Sequence, residues 1–100
     1  MIEKQYYVYI LSNINHSVFY TGVTSNLVKR MYEHTNELVE GFTKTYHIHK
    51  LMYYEIHNNI EEAIKREKTI KKWKRAWKWN VIDKVNPLRK NLFVNNEIIN

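Results

Sequence analysis

Apolar and polar positions along the first sixty residues predict three strands. Residues 6–11 (Tyr-Tyr-Val-Tyr-Ile-Leu) have a strong strand composition, and residues 18–20 form a second strand that ends near Gly22. The polar residues 12–17 between them predict a turn, so the two strands should pair as an antiparallel hairpin. A third strand is predicted for residues 51–56.

Apolar residues at helical spacing predict a helix directly after the hairpin. Ser25 or Asn26 can accept a hydrogen bond from the first turn and cap this helix. Leu27, Met31 and Leu38 give it an apolar side over about three turns.

A second helical region follows the third strand. Asn59 and Glu62 form an Asn-x-x-Glu variant of the capping box, which predicts a helix over residues 60 to about 73. Residues 75–85 are also helical in pattern, either continuing that helix or following it, and Pro87 stops them. Residues 88–100 have three asparagines among their last six residues, and we expect this tail to be loosely held.

The order strand, strand, helix, strand, helix, helix predicts a small α+β domain with a mostly antiparallel sheet. One hundred residues leave no room for a second core. We therefore assign residues 1–87 to the domain and residues 88–100 to a C-terminal tail.

Composition removes several functional classes. The chain has no cysteine, which excludes a disulfide framework, a thiolate metal site and a cysteine nucleophile. It has no apolar run long enough for a membrane span, and residues 1–4 lack the layout of a signal peptide. We expect a cytoplasmic protein without a membrane partner.

Most of the positive charge lies in one segment, residues 65–78, which we call the basic segment. It holds eight basic residues and one acid, a net +7 that exceeds the +6 of the whole chain. Such a cluster predicts contact with nucleic-acid phosphates, the alternative being a solvated helix face. The tryptophans of the segment could stack on bases, but Trp73 and Trp77 are four residues apart, which favours packing inward on one helix face. The candidate phosphate contacts are Lys65, Lys68, Lys71, Lys72, Lys74, Arg75 and Lys78.

One acid interrupts the apolar face of the second helical region. That face is formed by Ile60, Ala63, Ile64 and Ile70, and Glu67 falls near its middle. A carboxylate at such a position is costly unless it is paired or bound to a metal. Three interpretations stay open: a buried salt bridge to Arg30 or a lysine, a helix rotated so that Glu67 reaches the edge of this face, or a ligand to Mg²⁺, for which a single carboxylate can suffice.

Other candidate residues carry little information singly. Arg30 and His34 lie one turn apart on one helix face, where arginine can hold a phosphate and histidine can move a proton. His47 and His49 have no third ligand at a recognisable spacing, so we expect no zinc site.

Taken in order, these fragments resemble the GIY-YIG nuclease superfamily. The pattern consists of Tyr7-Val8-Tyr9, Tyr20-Thr21-Gly22 eleven residues on, then an arginine, a histidine and a later glutamate. More narrowly, the chain resembles the short stand-alone members, which are related to the N-terminal nuclease domain of the excision-repair enzyme excinuclease ABC. The departures are Tyr7 in place of a glycine, Thr21 in place of isoleucine, and a late asparagine that Asn80 or Asn86 would have to supply.

The resemblance implies a three-stranded antiparallel sheet flanked by helices and a Mg²⁺- or Mn²⁺-dependent endonuclease of the DNA repair and recombination type. It makes Glu67 the sole protein ligand to the metal, and Tyr9 or Tyr20 the residue that generates or orients the nucleophile. Arg30 would stabilise charge on the phosphate, and His34 would assist proton transfer. The substrate would be duplex or branched DNA, with RNA a further option. The alternatives are a non-catalytic nucleic-acid-binding module and a partner of a repair complex.

Overall fold

The computed structural model describes residues 4–99, so most of the N-terminal segment considered above, residues 1–3, lies outside it. The elements in chain order are β1 (Tyr6–Ser12), β2 (Phe19–Thr24), α1 (Leu27–Thr35), α2 (Phe42–Thr45), β3 (Lys50–His57), α3 (Ile60–Lys71), α4 (Arg75–Val85), β4 (Phe93–Val94) and β5 (Glu97–Ile98). No helix in this range is long and apolar enough to cross a membrane.

The three longer strands form one antiparallel sheet in the order β2-β1-β3. Tyr9, at the middle of β1, lies opposite Gly22 of β2 on one side and Tyr54 of β3 on the other. The predicted α+β class with a three-stranded antiparallel sheet is confirmed. The central position belongs to the first strand in the chain, which explains why residues 6–11 are so strongly apolar and aromatic.

Successive β1 side chains enter different cores, because neighbouring residues of a strand point to opposite faces. Tyr9 and Leu11 belong to a cluster with Met31 of α1. Val8 and Ile10 belong to a second cluster that includes α3 and α4. The sheet is therefore covered on both sides, and β1 is buried from Val8 to Ser12.

The first helix is shorter than its apolar pattern predicts. Asn26 caps it by accepting a hydrogen bond from the backbone of Lys29, as expected. It ends at Thr35, because Glu37 has a left-handed backbone with φ of 54°, a conformation that helices commonly adopt just beyond their last turn. The expectation that Leu38 lies on the buried side was wrong, and its side chain is 62% exposed.

The second helical region is two helices rather than one. α3 ends at Lys71 and α4 begins at Arg75, so Trp73 lies in the connection and Trp77 on the next helix. The two rings touch edge to face, but Trp77 is 58% exposed, which corrects the expectation that both pack inward on a shared helix face.

The C-terminal residues that the structure describes pack onto the domain and are not loosely held. Leu92 and Phe93 are buried in the same cluster as Tyr9, and the Leu92 amide donates a hydrogen bond to the Leu51 carbonyl. Asn95 and Asn96 both have positive φ and connect β4 to β5, as in the tight turns that favour asparagine. Two of the three asparagines that suggested a flexible tail, Asn95 and Asn96, instead form the turn of a hairpin next to the core, and the third lies outside the described residues.

Candidate active site

Tyr9 is the centre of the candidate site. Its side chain is fully buried, and its ring lies across Gly22 on the edge strand β2. A β-carbon added at Gly22 would stand 2.4 Å from the Tyr9 hydroxyl oxygen and 2.5 Å from Cζ. The glycine is therefore required by the close approach of this ring.

His34 lies beside Tyr9 and is held on both ring nitrogens. Its Nε2 is 3.4 Å from the Tyr9 hydroxyl, and its Nδ1 is 3.1 Å from the hydroxyl of Thr43 on α2. Its ring also packs at 5.7 Å from the Tyr20 ring centroid. Helix α1 thus places His34 beside Tyr9 and Tyr20, and Thr43 of α2 contacts the other ring nitrogen of the imidazole.

Arg30 comes from the same helix one turn earlier. Its side chain is 39% exposed, and its Nε lies 3.3 Å from the carboxylate of Glu33. It interacts with the Tyr9 phenol strongly enough to influence the pKa of that group. Arg30 also borders an open polar cleft, whose other lining residues are Thr24, Ser25, Asn26, Lys29 and Glu33.

Glu67 lies on the buried side of α3, as the sequence predicts. Ala63, one turn before it, and Ile70, one turn after it, are buried, whereas Ile60 and Ile64 are about 40% exposed. The buried face of α3 is therefore formed by Ala63, Glu67 and Ile70. Its carboxylate lies 2.5 Å from the ammonium of Lys71, one turn on. The salt bridge to a lysine is therefore present, while Arg30 pairs with Glu33.

Burial controls the protonation of the two central groups. Burial raises the pKa of Tyr9 well above the usual range, the nearby phenol of Tyr20 and charge of Glu67 raise it further, and Arg30 opposes them. Burial lowers the pKa of His34 below its usual value, and the charge of Arg30 adds to this effect. At neutral pH the site thus holds a protonated phenol beside a neutral imidazole.

The basic residues of the segment lie in different environments. Lys71 pairs with Glu67, and Lys65 lines a shallow surface with His57 and Glu62. Arg75 donates hydrogen bonds to the backbone carbonyls of His16 and Ser17 and so fixes the β1–β2 turn.

Two lysines of the segment lie beside an exposed ring. Lys72 and Lys74 share a groove with Trp73 and Trp77. Lys68 is exposed on α3, and Lys78 is half-buried on α4, where burial and the charge of Arg75 lower its pKa. The groove at Trp77 is where the predicted combination of cations and an accessible aromatic ring is found.

The departures from the motif are accommodated differently. Tyr7 packs its ring against Tyr54 of β3. Thr21 is buried, and its hydroxyl has no hydrogen-bond partner among residues 4–99, so it fills an apolar position. Asn86 bonds the Met52 and Lys90 carbonyls and accepts from the Lys90 amide, which leaves its side chain fully engaged in structure. Asn80 is exposed on α4.

Sequence reasoning missed several residues around the site. Thr43 has no pattern that would identify it, because only the fold brings α2 to His34. Phe42 and Tyr46 continue the aromatic surface from Tyr20 and are about half exposed.

A third ligand for the histidine pair was also missed. Glu37 lies beside His47 and His49, so a third potential ligand is near this pair although no recognisable spacing in the sequence indicates it. The left-handed turn after α1 brings the carboxylate there, which no spacing in the sequence indicates.

Comparisons with known proteins agree with the geometry. Residues 5–80 match the family model described as the GIY-YIG catalytic domain. A UPF0213 protein of Syntrophus aciditrophicus is 39% identical over 84 residues, which cover 83% of this chain and 94% of the relative. A UPF0213 protein of Clostridium perfringens is 42% identical over 76 residues, covering 76% and 81%. The solution NMR structure of a UPF0213 protein from Bacillus halodurans has a TM-score of 0.54 at 26% identity, covering 85% of this chain and 90% of that one.

Proposed function

The chain belongs to the GIY-YIG catalytic-domain family of nucleases, and from this premise we propose that it is a divalent-metal-dependent endonuclease that hydrolyses phosphodiester bonds in DNA. The observation that carries the proposal is the convergence of ionisable groups on one buried hydroxyl, that of Tyr9. His34 lies 3.4 Å from this hydroxyl, and Tyr20, Arg30 and Glu67 are close enough to influence its pKa. We assign the activity to the DNA repair and recombination type, in the cytoplasm.

Glu67 suits the role of metal ligand. It is a buried carboxylate whose one ion-pair partner in the described structure, Lys71, is half-exposed and free to turn to solvent. Mg²⁺ and Mn²⁺ prefer oxygen ligands, and Mg²⁺ keeps several waters, so one carboxylate at this place fits either ion. A bound divalent ion supplies charge neutralisation on the phosphate and lowers the pKa of a bound water.

Tyr9 and His34 form a path for the proton of the attacking water. The raised pKa keeps the Tyr9 phenol protonated at neutral pH, so Tyr9 can accept a proton from the attacking water only as it gives up its own. The Nε2 atom of neutral His34 faces the Tyr9 hydroxyl and can accept that proton. Thr43 fixes the imidazole through Nδ1 and so positions this acceptor.

Arg30 is the phosphate-binding residue of the proposed site. Arg30 lines the same open cleft as Asn26 and Lys29, where a backbone phosphate could approach from solvent. Arginine can donate two parallel hydrogen bonds to a phosphate and stabilise the charge that develops on its oxygens. The ion pair with Glu33 holds the side chain at this edge before substrate binds.

A metal-titrated cleavage panel tests the proposal. Supercoiled plasmid, linear duplex, branched DNA and a structured RNA are incubated with the protein and increasing Mg²⁺ or Mn²⁺. We expect nicking of at least one DNA substrate that depends on the metal and stops on chelation. Absence of cleavage with every metal and substrate, together with retained DNA binding, would refute the enzyme and leave a nucleic-acid-binding module.

That second function has its own support. Trp77 is largely exposed beside Lys72 and Lys74, an arrangement that can grip a nucleic acid by phosphate contact and base stacking without any chemistry. A protein using only this surface would act as a binding module or as a partner in a repair complex.

The groove at Trp77 can be tested by the salt dependence of binding. Replacing both Lys72 and Lys74 by alanine is expected to reduce the slope of log affinity against log salt by about 2, because each phosphate contact contributes about 0.9. The measurement is fluorescence anisotropy of a labelled duplex over a salt series. The matched control replaces Lys84 and Lys90, two exposed lysines at the other end of α4 and beyond it. Equal slopes in the two double variants would place the nucleic acid elsewhere.

A further inference from the structure

Three potential metal ligands meet between the end of α1 and the start of β3. They are Glu37, His47 and His49, whose ligand atoms all lie within 4.8 Å of one another. The Glu37 Oε1 atom is 2.8 Å from Nδ1 of His47 and 3.6 Å from Nε2 of His49. The two histidine side chains thus approach the same carboxylate oxygen from different positions.

The His49 imidazole supplies a second, independent observation. Its Nε2 atom is buried and has no hydrogen-bond partner among the described residues. The nearest carboxylate oxygen, on Glu37, is too distant for a hydrogen bond at 3.6 Å. Buried polar atoms in folded proteins are almost always satisfied, and a bound water or ion is a usual partner when no protein group is present.

The donor set and spacing suit a tetrahedral transition-metal ion. Two imidazole nitrogens and one carboxylate oxygen are the protein ligands of many zinc sites that keep a fourth position for water. Metal–ligand distances near 2.1 Å in a tetrahedron separate neighbouring ligand atoms by about 3.4 Å, close to the separation between Glu37 and His49. His47 is 73% exposed, so an ion can enter from solvent.

We propose that Glu37, His47 and His49 bind one transition-metal ion of the Zn²⁺ class, in a site separate from Glu67. The ligands lie on the segment that connects α1 to β3, whereas Glu67 is on α3. Nitrogen ligands select against Mg²⁺, which prefers oxygen, so the two sites discriminate between the two classes of ion. A bound ion would tie the end of α1 to the start of β3, the two elements that flank α2 and its contact with His34.

Cobalt(II) is the probe for this site, because tetrahedral Co²⁺ absorbs visible light far more strongly than octahedral Co²⁺. We expect the protein to bind one equivalent of Co²⁺ with a tetrahedral spectrum that Zn²⁺ abolishes by displacement. His47→Ala, His49→Ala and Glu37→Gln should each weaken binding by at least tenfold. Circular dichroism on each variant shows whether it is folded. His47 lies on the surface, so His47→Ala is the variant for which we expect the smallest effect on folding.

Two controls separate this site from others. His57→Ala removes a histidine that also pairs with a glutamate, at 2.6 Å from Glu55, but has no third ligand among the residues that the structure describes. Glu67→Gln removes the ligand proposed for the nuclease. Both variants should bind Co²⁺ like the original chain. Failure of the original chain to bind Co²⁺ or Zn²⁺, or unchanged binding in folded His47→Ala, would overturn the site. Loss of the tetrahedral spectrum in Glu67→Gln would place the bound Co²⁺ at the proposed nuclease centre instead. Because metal binding is measured from the spectrum, the presence or absence of DNA cleavage does not decide this test.

Discussion

Replacing Glu67 by glutamine is expected to reduce metal-dependent DNA cleavage by at least about 100-fold, because the metal contributes several kcal/mol to the transition state and each 1.36 kcal/mol is a factor of ten. Glutamine keeps the size of the side chain and removes the charge that would hold a divalent ion. The measurement is the initial rate of plasmid nicking at saturating Mg²⁺.

Stability should change little in Glu67→Gln. The lost partner, Lys71, is half-exposed and can be solvated once the carboxylate is gone, so thermal unfolding should stay close to that of the original chain. Glu62→Gln is the matched control: it makes the same change on the same helix, at an exposed carboxylate in the first turn. Equal nicking rates in the two variants would exclude Glu67 as the metal ligand.

The ion pair offers a further test of the same assignment. Lys71 occupies the carboxylate that the metal needs, so the two cations compete for Glu67. Lys71→Ala is expected to lower the Mg²⁺ concentration that gives half-maximal cleavage, even if DNA binding weakens. A raised Mg²⁺ requirement would contradict this competition.

Gly22→Ala is expected to destabilise the protein by roughly 2–3 kcal/mol, the upper part of the usual cost of overpacking a core. The added methyl group would meet the Tyr9 ring at 2.4–3.0 Å, and that ring is fully buried. For a domain of this length the loss corresponds to a fall in Tm of about 10 °C or more. Because the ring must shift away from His34, cleavage should fall as well.

A double-mutant cycle shows whether Tyr9 is the cause. Tyr9→Leu removes the ring atoms that the methyl group would meet, so Gly22→Ala should cost much less in that background than in the original chain. Chemical denaturation of the four proteins gives the coupling free energy directly. An equal cost in both backgrounds would show that the glycine serves some other purpose.

Strands and helices with strong local patterns could be predicted from the sequence. Residues 6–11 indicate a buried strand, Asn59 marks the start of α3, and Glu67 stands out because a charge interrupts apolar spacing. These features depend on neighbours within one turn or one strand. The family resemblance then placed Tyr9 and Arg30 in a shared site, and the structure brings their side chains together.

What escaped prediction depends on backbone turns and distant contacts. Leu38 matched the helical period, but the left-handed residue Glu37 had already ended the helix. Thr43 reaches His34 across nine residues, through a short helix that no periodicity indicates. Asn95 and Asn96 suggested disorder by composition, although the same two residues suit a tight hairpin turn.

The placement of β1 links the assembly of the site to the completion of folding. The β1–β2 hairpin is local and can form early, and it already carries both motif tyrosines. The other neighbour of β1 is β3, where Tyr54 pairs with Tyr9 although more than forty residues separate them in the sequence. Phe93, still farther along the chain, packs into the same core. In a chain that has formed only this hairpin, the two tyrosines would lack His34 and Glu67 beside them. The groups proposed for hydrolysis therefore come together only in the finished fold, so the proposed cleavage is expected only from completely folded molecules.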